Sequence, residues 1–206
     1  MKQRLLFASL LLAVFVAGCR KAPSEGELSN NQITYTSRDE QADFSKYTTF
    51  FISDTIRLIS DNTSDSIMVG GDAAPLVNAM KTNLTNRGYK FVNRNENPDM
   101  GINMLVTRAT NIDVYSYYPG WWYGYYPYYW GGYYPYYYPY STVYVYETGS
   151  VIADLVDLKN AETNQTLRIL WTMLASKAVG DSKTNNIQGG VDGINQGFKQ
   201  SPYIQK

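Results

Sequence analysis

Cys19 is the only cysteine among 206 residues, and it closes the run Val16-Ala17-Gly18-Cys19. Small residues ahead of a cysteine let the chain enter a signal peptidase, and the thiol then takes a diacylglyceryl group. The run resembles the bacterial lipobox, with valine at 16 where leucine is commoner. Lys2 and Arg4 supply a positive start, and residues 5–18 form an uncharged apolar stretch. That stretch is too short to cross a bilayer core as a helix, which takes about twenty residues. Residues 1–18 therefore read as a signal peptide and Cys19 as the site of lipidation, palmitate included. The competing reading is an ordinary signal peptide with a chance cysteine.

Other chemistries find little to work with. The chain has no histidine, which removes the usual neutral-pH proton shuttle and excludes a Ser-His-Asp triad. Val69-Gly70-Gly71-Asp72 lacks the spacing and the lysine of a phosphate loop. Asp61 and Asp65, with Asn62, Thr63 and Ser64 between them, offer oxygens without calcium-loop spacing, so they read as a solvated polar loop. Asp154 and Asp157 are three apart, and strand alternation puts them on opposite faces. Asp157 suits the cap of the turn that follows. Trp171 reads as core. No catalytic residue, metal site or cofactor is expected. Asp54-Thr55-Ile56 and Asp65-Ser66-Ile67 resemble the short O-glycosylation sites of Bacteroidetes envelope proteins. Without Lys2 and Arg4, 16 basic side chains face 18 acidic ones. So near-neutral a chain carries no broad attraction for nucleic acid.

Residues 115–140 stand apart. They hold 14 Tyr, 3 Trp, 4 Pro and 4 Gly, with Ser116 the one other residue. Proline and glycine exclude a regular amphipathic helix. Tyrosine and tryptophan join an apolar ring to a polar tip, which suits a lipid headgroup boundary, a sugar face or a protein interface. The candidate binding surface is Tyr117, Tyr118, Trp121, Trp122, Tyr125, Tyr126, Trp130, Tyr133 and Tyr134. The alternative is a low-complexity insert that is disordered or packs on itself.

Certain elements must position these residues. Residues 20–42 are polar and aperiodic, and with Cys19 they read as a lipidated flexible tether, 19–42. A single domain over 43–202 follows. Tyr47–Ser53 is β-branched and aromatic and predicts a strand. Residues 54–71 read as a loop packed over the domain. A helix is expected over 73–87, with Asp72 as N-cap, Pro75 in its first turn, Leu76, Val77, Met80 and Leu84 on one face, and Gly88 as its stop. Strands are expected over 100–114, 142–158 (Gly149 as a bulge or bend) and 166–179, the last two forming a hairpin. A second helix, 185–199, carries Ile187, Val191, Ile194 and Phe198 on one face. Its glycines lower its intrinsic stability, so it must dock to the sheet. The order β-α-β-β-β-α, with the aromatic insert between the second and third strands, predicts an α/β two-layer sandwich. A mixed four-stranded sheet would carry both helices on one face.

Several of these residues carry a family likeness. Asp43-Phe44-Ser45-Lys46-Tyr47-Thr48-Thr49-Phe50 resembles the opening of the bacterial lipoprotein family called domain of unknown function 4136. The likeness continues through Gly88-Tyr89, Pro98-Asp99, Leu155-Val156-Asp157 and Trp171, over residues 43–202. Where the family usually has Trp-Arg-Gly, this chain has Trp171-Thr172-Met173. The resemblance implies an envelope lipoprotein domain and no particular reaction. The expectation is a non-enzymatic binding or interaction module, anchored to a membrane through its lipid, with an envelope protein or glycan as possible partner. Arg20 after the cysteine, rather than aspartate, favours the outer membrane by analogy with enteric bacteria. A structural lipoprotein that self-associates through the aromatic insert is the alternative.

Overall fold

Alternating apolar residues at 100, 102, 104 and 106 make Met100–Thr107 the strand around which the rest is arranged. The computed structural model describes residues 32–60, 67–108, 149–161, 167–179 and 187–206. The expected tether, 19–42, is described only from residue 32, and the aromatic segment lies outside the described residues. Among the described residues, the strands in chain order are β1 (Ile33–Arg38), β2 (Thr49–Ile52), β3 (Ile56–Ile59), β4 (Ile67–Met68), β5 (Lys90–Phe91), β6 (Met100–Thr107), β7 (Val151–Asp157) and β8 (Arg168–Ser176). The helices are α1 (Ala74–Asn86) and α2 (Ile187–Gln200).

All eight strands form one mixed sheet, ordered β1-β8-β7-β6-β2-β5, with β3 also on β6 and β4 on β3. This corrects the expected four-stranded sheet. The two-helix complement, the parallel β2–β6 pair around α1 and the antiparallel β7–β8 hairpin are as the sequence predicts. The difference lies in the edges. Residues 33–38, read as tether, pair antiparallel with β8 along their whole length. Residues 54–71, read as a loop, contribute β3 and β4. Ile52 pairs with Ile102 and Arg57 with Leu105, so the β2–β3 edge carries two extra residues at that point. Ser53 and Thr55 close the kink: their hydroxyls lie 2.8 Å apart, and the Thr55 N–H donates to Ser53 Oγ at 3.1 Å.

Both helices lie on one face. Leu76, Met80 and Leu84 of α1 and Ile194 and Phe198 of α2 join Met100, Ile102, Met104, Ala153, Leu155, Trp171 and Met173 in one buried core. Asp72 does not cap α1. Instead the N–H groups of Ala73 and Ala74 donate to the Gly70 carbonyl, and the cap position is Ala73. The C-terminal stop is as expected. Gly88 has φ +91°, its N–H donates to Thr85 O, and the Tyr89 N–H donates to Leu84 O. Those two bonds satisfy carbonyls that the helix end leaves orphaned.

The glycines of α2 have a second use. A Cβ on Gly193 would lie 2.5 Å from Ala175 Cβ, and one on Gly190 would lie 2.6 Å from Leu76 Cδ2. Their bare backbone lets α2 sit against the sheet and α1 at a distance no side chain would allow. Gly190, Gly193, Ile194, Gly197 and Phe198 are its buried stripe, while Ile187 and Val191 pack at the margin.

The face opposite the two described helices has its own pattern. Register places Tyr35 beside Leu174, Leu174 beside Ile152, and Ile152 beside Leu105. These four make an apolar row across β1, β8, β7 and β6. Two residues along, Ser37, Thr172, Asp154 and Asn103 make a parallel polar row.

Candidate functional site

A polar recess sits at the end of the sheet where β7 turns into β8. It has a volume of about 440 Å³, and its walls include Asp43, Lys46, Tyr47, Asp157, Lys159 and Arg168. Each wall is built by local chemistry. A short 3-10 turn, Phe44–Lys46, is capped by Asp43, whose Oδ1 accepts from the Ser45 N–H at 3.2 Å and the Ser45 hydroxyl at 2.6 Å. The Ser45 hydroxyl in particular holds the Asp43 carboxyl below its usual range. Phe44 turns inward and is 3% exposed. Tyr89 donates its hydroxyl to the Phe44 carbonyl at 3.1 Å.

The opposite wall is the β7–β8 turn. Asp157 caps it as the sequence predicts: Oδ1 accepts from the Asn160 N–H at 3.0 Å and Oδ2 from Asn160 Nδ2 at 2.7 Å. Tyr47 is buried beside Asp157. Burial first, and the neighbouring Asp157 charge second, push its phenol far above the ordinary tyrosine value. Asp99 braces this end of the sheet. Its Oδ2 accepts from the N–H groups of Thr48 at 2.6 Å and Thr49 at 3.2 Å, and its carbonyl accepts from those of Leu158 and Lys159, both at 3.0 Å. One residue thus ties the start of β2 to the start of β6 and to the turn after β7.

The cations are engaged. Lys159 donates to the Lys46 carbonyl at 2.8 Å and lies 3.8 Å from Asp99 Oδ1. Lys46 lies 3.4 Å from Asp43. Arg168 Nε donates to Asp39 Oδ2, and that bond pulls the Asp39 carboxyl below its usual range and lifts the guanidinium. The recess is therefore a closed set of ion pairs and caps. Among the described residues no group of three acids, histidines or cysteines could hold a metal ion.

The Asp39–Arg168 pair gives a pH test. A carboxyl whose folded value lies below its unfolded value stabilises the fold at pH above about 3.9, and that contribution fades as pH falls through the lowered value. Both side chains are partly exposed, so the pair contributes about 0.2–1 kcal/mol. Asp39→Asn should lower the urea midpoint at pH 7, and the gap to the parent should close in strong acid, below the lowered value. An equal gap at both pH values would show that the ion pair is not its origin.

Most other residues singled out from sequence are not gathered here. Cys19, the nine aromatic candidates from Tyr117 to Tyr134, and Asp61–Asp65 lie outside the described residues. Asp154 is on the face opposite the two described helices, where its Oδ1 accepts from Thr172 Oγ1 at 2.6 Å. Asp54 is exposed, while Ile56 beside it is buried. Trp171 is core, and its Nε1 donates to Ser201 Oγ at 2.9 Å. The recess joins Asp43, Tyr47 and Asp157, residues of the family likeness, to Lys159 and Arg168, which the sequence alone does not single out; Asp99 and Asp39 pair with those two cations from outside it. Asp39 and Arg168 are 129 residues apart, and no local pattern links them.

Among known proteins, the family model described as "Domain of unknown function (DUF4136)" matches residues 34–203. A crystal structure of a DUF4136 family protein from Bacteroides thetaiotaomicron shares 32% identity, with 85% of this chain and 98% of that chain covered and a TM-score of 0.65. A PelC dodecamer from Paraburkholderia phytofirmans shares 11% identity, with 85% and 99% covered and a TM-score of 0.39. A PDZ domain protein from Parabacteroides distasonis shares 15%, with 90% and 42% covered and a TM-score of 0.45. No curated protein matches the chain.

Proposed function

The chain belongs to the DUF4136 family, a domain of unknown function, and from its own residues we propose a lipid-anchored lipoprotein of the cell envelope. In this reading it acts there as a non-enzymatic binding or interaction module. The observation that carries the proposal is Val16-Ala17-Gly18-Cys19 behind an uncharged apolar run and two basic residues. Residue 20 is arginine, which supports the outer membrane as the destination. No helix among the described residues is long and apolar enough to cross a membrane. The way the recess spends its charges supports an interaction role over a chemical one. Asp39, Asp43, Asp99 and Asp157 each hold a turn, a strand start or an ion pair.

Cys19→Ser tests the anchor. The substitution should abolish labelling by radioactive palmitate and move the protein out of the membrane fraction. A variant that still sediments with membranes at the parental level would overturn lipid anchoring at this residue. Retention of the soluble mature chain by peptidoglycan, liposomes or envelope extract tests the module reading, and retention by none of the three overturns it.

A structural role through self-association is the second reading. What favours it is the open edge of the sheet, where Ile33 and Tyr35 of β1 are 62% and 57% exposed. A monomeric sedimentation profile at every concentration removes it.

A further inference from the structure

We propose that the polar recess at the β7–β8 turn binds a small organic ligand by its carboxylate, and that Arg168 is the residue that receives it. This names a ligand class for the binding-module reading of the domain and rests on that reading.

The recess has the size of a ligand site, and its walls are fixed. Its volume of about 440 Å³ falls in the range of roughly 300–1,000 Å³ common to sites for small organic molecules. Tyr47 and Asp157, which line it, are 5% and 2% exposed. On one wall, Phe44 is buried and its carbonyl is held by the Tyr89 hydroxyl. On the other, Asp157 is held by Asn160. Walls already ordered take little side-chain entropy from a ligand that binds.

The lining has spent its acceptors and kept donors. Asp43 Oδ1 accepts twice from Ser45, and Oδ2 lies 3.4 Å from Lys46 Nζ. Both Asp157 oxygens accept from Asn160. Arg168 gives only its Nε, to Asp39. A guanidinium carries five N–H groups. The others, on the two terminal nitrogens, have no partner among the described residues. Lys159 donates once, to the Lys46 carbonyl, and at 3.8 Å from Asp99 it is too far for a second hydrogen bond there. A ligand that suits this lining brings acceptor oxygens.

Geometry and charge decide which acceptor. Arg168 lines the recess, while Asp39 stands outside it and fixes the plane of the guanidinium from the Nε side. Tyr47 and Asp157 lie near enough to act on the guanidinium charge. Its two terminal nitrogens form a planar fork that matches the two oxygens of one oxyanion. Four acids, Asp39, Asp43, Asp99 and Asp157, stand against the cations Lys46, Lys159 and Arg168. That balance opposes a phosphate monoester, with its nearly double charge, more than a singly charged carboxylate. It also gives no broad pull on a polyanion.

Titration of the soluble mature chain, followed by NMR, tests the proposal with three probes at millimolar concentration: N-acetylalanine, its amide and glycerol 3-phosphate. The free acid should give saturable shifts at Tyr47, Asn160 and the Arg168 guanidinium. The amide keeps the shape without the charge, and should bind at least about tenfold more weakly, as the loss of charge-assisted hydrogen bonds requires. Arg168→Lys keeps the charge without the fork, and should weaken the acid by about tenfold too. Lys81→Gln, on α1 and outside the recess lining, should leave it unchanged. No saturable shift with the acid, equal binding of acid and amide, or parental binding by Arg168→Lys overturns the proposal. Tighter binding of the phosphate ester than of the acid overturns the carboxylate assignment. Should Arg168→Lys not fold, the acid and amide still decide on the parent chain. A chain that peptidoglycan, liposomes or envelope extract retains, yet that ignores the acid, keeps the module reading and loses this one. A chain retained by none of the three loses the module reading, whatever the titration shows.

Discussion

Trp171→Ala should destabilise the domain by about 3–5 kcal/mol, the cost of emptying a large buried aromatic site. The side chain is 0% exposed, and its ring centroid lies 5.1 Å from that of Phe198 on α2. Its Nε1 bond to Ser201 Oγ fixes the segment after α2, and Tyr203 donates its hydroxyl to the same oxygen at 3.1 Å. Arg87 holds the same segment from the other side, donating to the carbonyls of Phe198 at 2.5 Å, Ser201 at 3.1 Å and Ile204 at 2.9 Å. Removing the indole thus opens a cavity and frees one side of a doubly held terminus. Domains are stable by about 5–15 kcal/mol in total, so most of the reserve is at stake. At about 2–4 °C per kcal/mol the melting midpoint should fall by roughly 6–20 °C. Trp171→Phe, which loses the donor but keeps a ring, should cost clearly less. A midpoint for the alanine variant within 2 °C of the parent would refute the core assignment.

Gly149→Ala should cost about 2–5 kcal/mol through two separable causes. Its φ is +80°, a region that charges an L-residue about 1–2 kcal/mol. A Cβ there would also lie 2.0 Å from the Val179 carbonyl oxygen, a backbone atom that cannot swing aside. Overpacking of that kind costs about 1–3 kcal/mol. The Gly149 carbonyl accepts from the N–H groups of Ala178 at 2.7 Å and Val179 at 2.9 Å. The substitution should therefore speed amide exchange at those two residues first. Gly71→Ala is the control, since a Cβ there meets nothing within 4 Å. It should stay within about 0.5 kcal/mol of the parent. Equal urea midpoints for the two variants would rule out the close approach at Gly149.

What could be read from sequence follows from how each element is buried. Helix α1 declared itself because Leu76, Val77, Met80 and Leu84 recur on one buried face and Gly88 stops the helix. Strands β6, β7 and β8 declared themselves through runs long enough to show β character. The edges did not. Ile33 and Tyr35 face the open side of β1, so its sequence resembles a polar linker, and only its register against β8 makes it a strand. β4 and β5 are two residues each, too short for any period. The kink between β2 and β3 broke a single edge into pieces that read as strand and loop. In the recess, Asp157 was legible as a turn cap because a polar turn follows it directly. The partnership of Asp39 with Arg168 was not, because only the closed sheet brings them together. The glycines of α2 weaken that helix taken by itself; the side chains facing them show that they set its distance from the sheet.

The strand at Ile33–Arg38 also sets a leash. With the described sheet starting at residue 33 instead of 43, the anchor proposed at Cys19 would stand 14 peptide steps from it. At 3.3–3.6 Å per residue, full extension reaches about 50 Å, against about 80 Å for a fold that starts at residue 43. Under the proposed anchoring, a domain on the shorter leash would reach only the layer next to its own membrane. Any partner fixed farther away must send something inward to meet it.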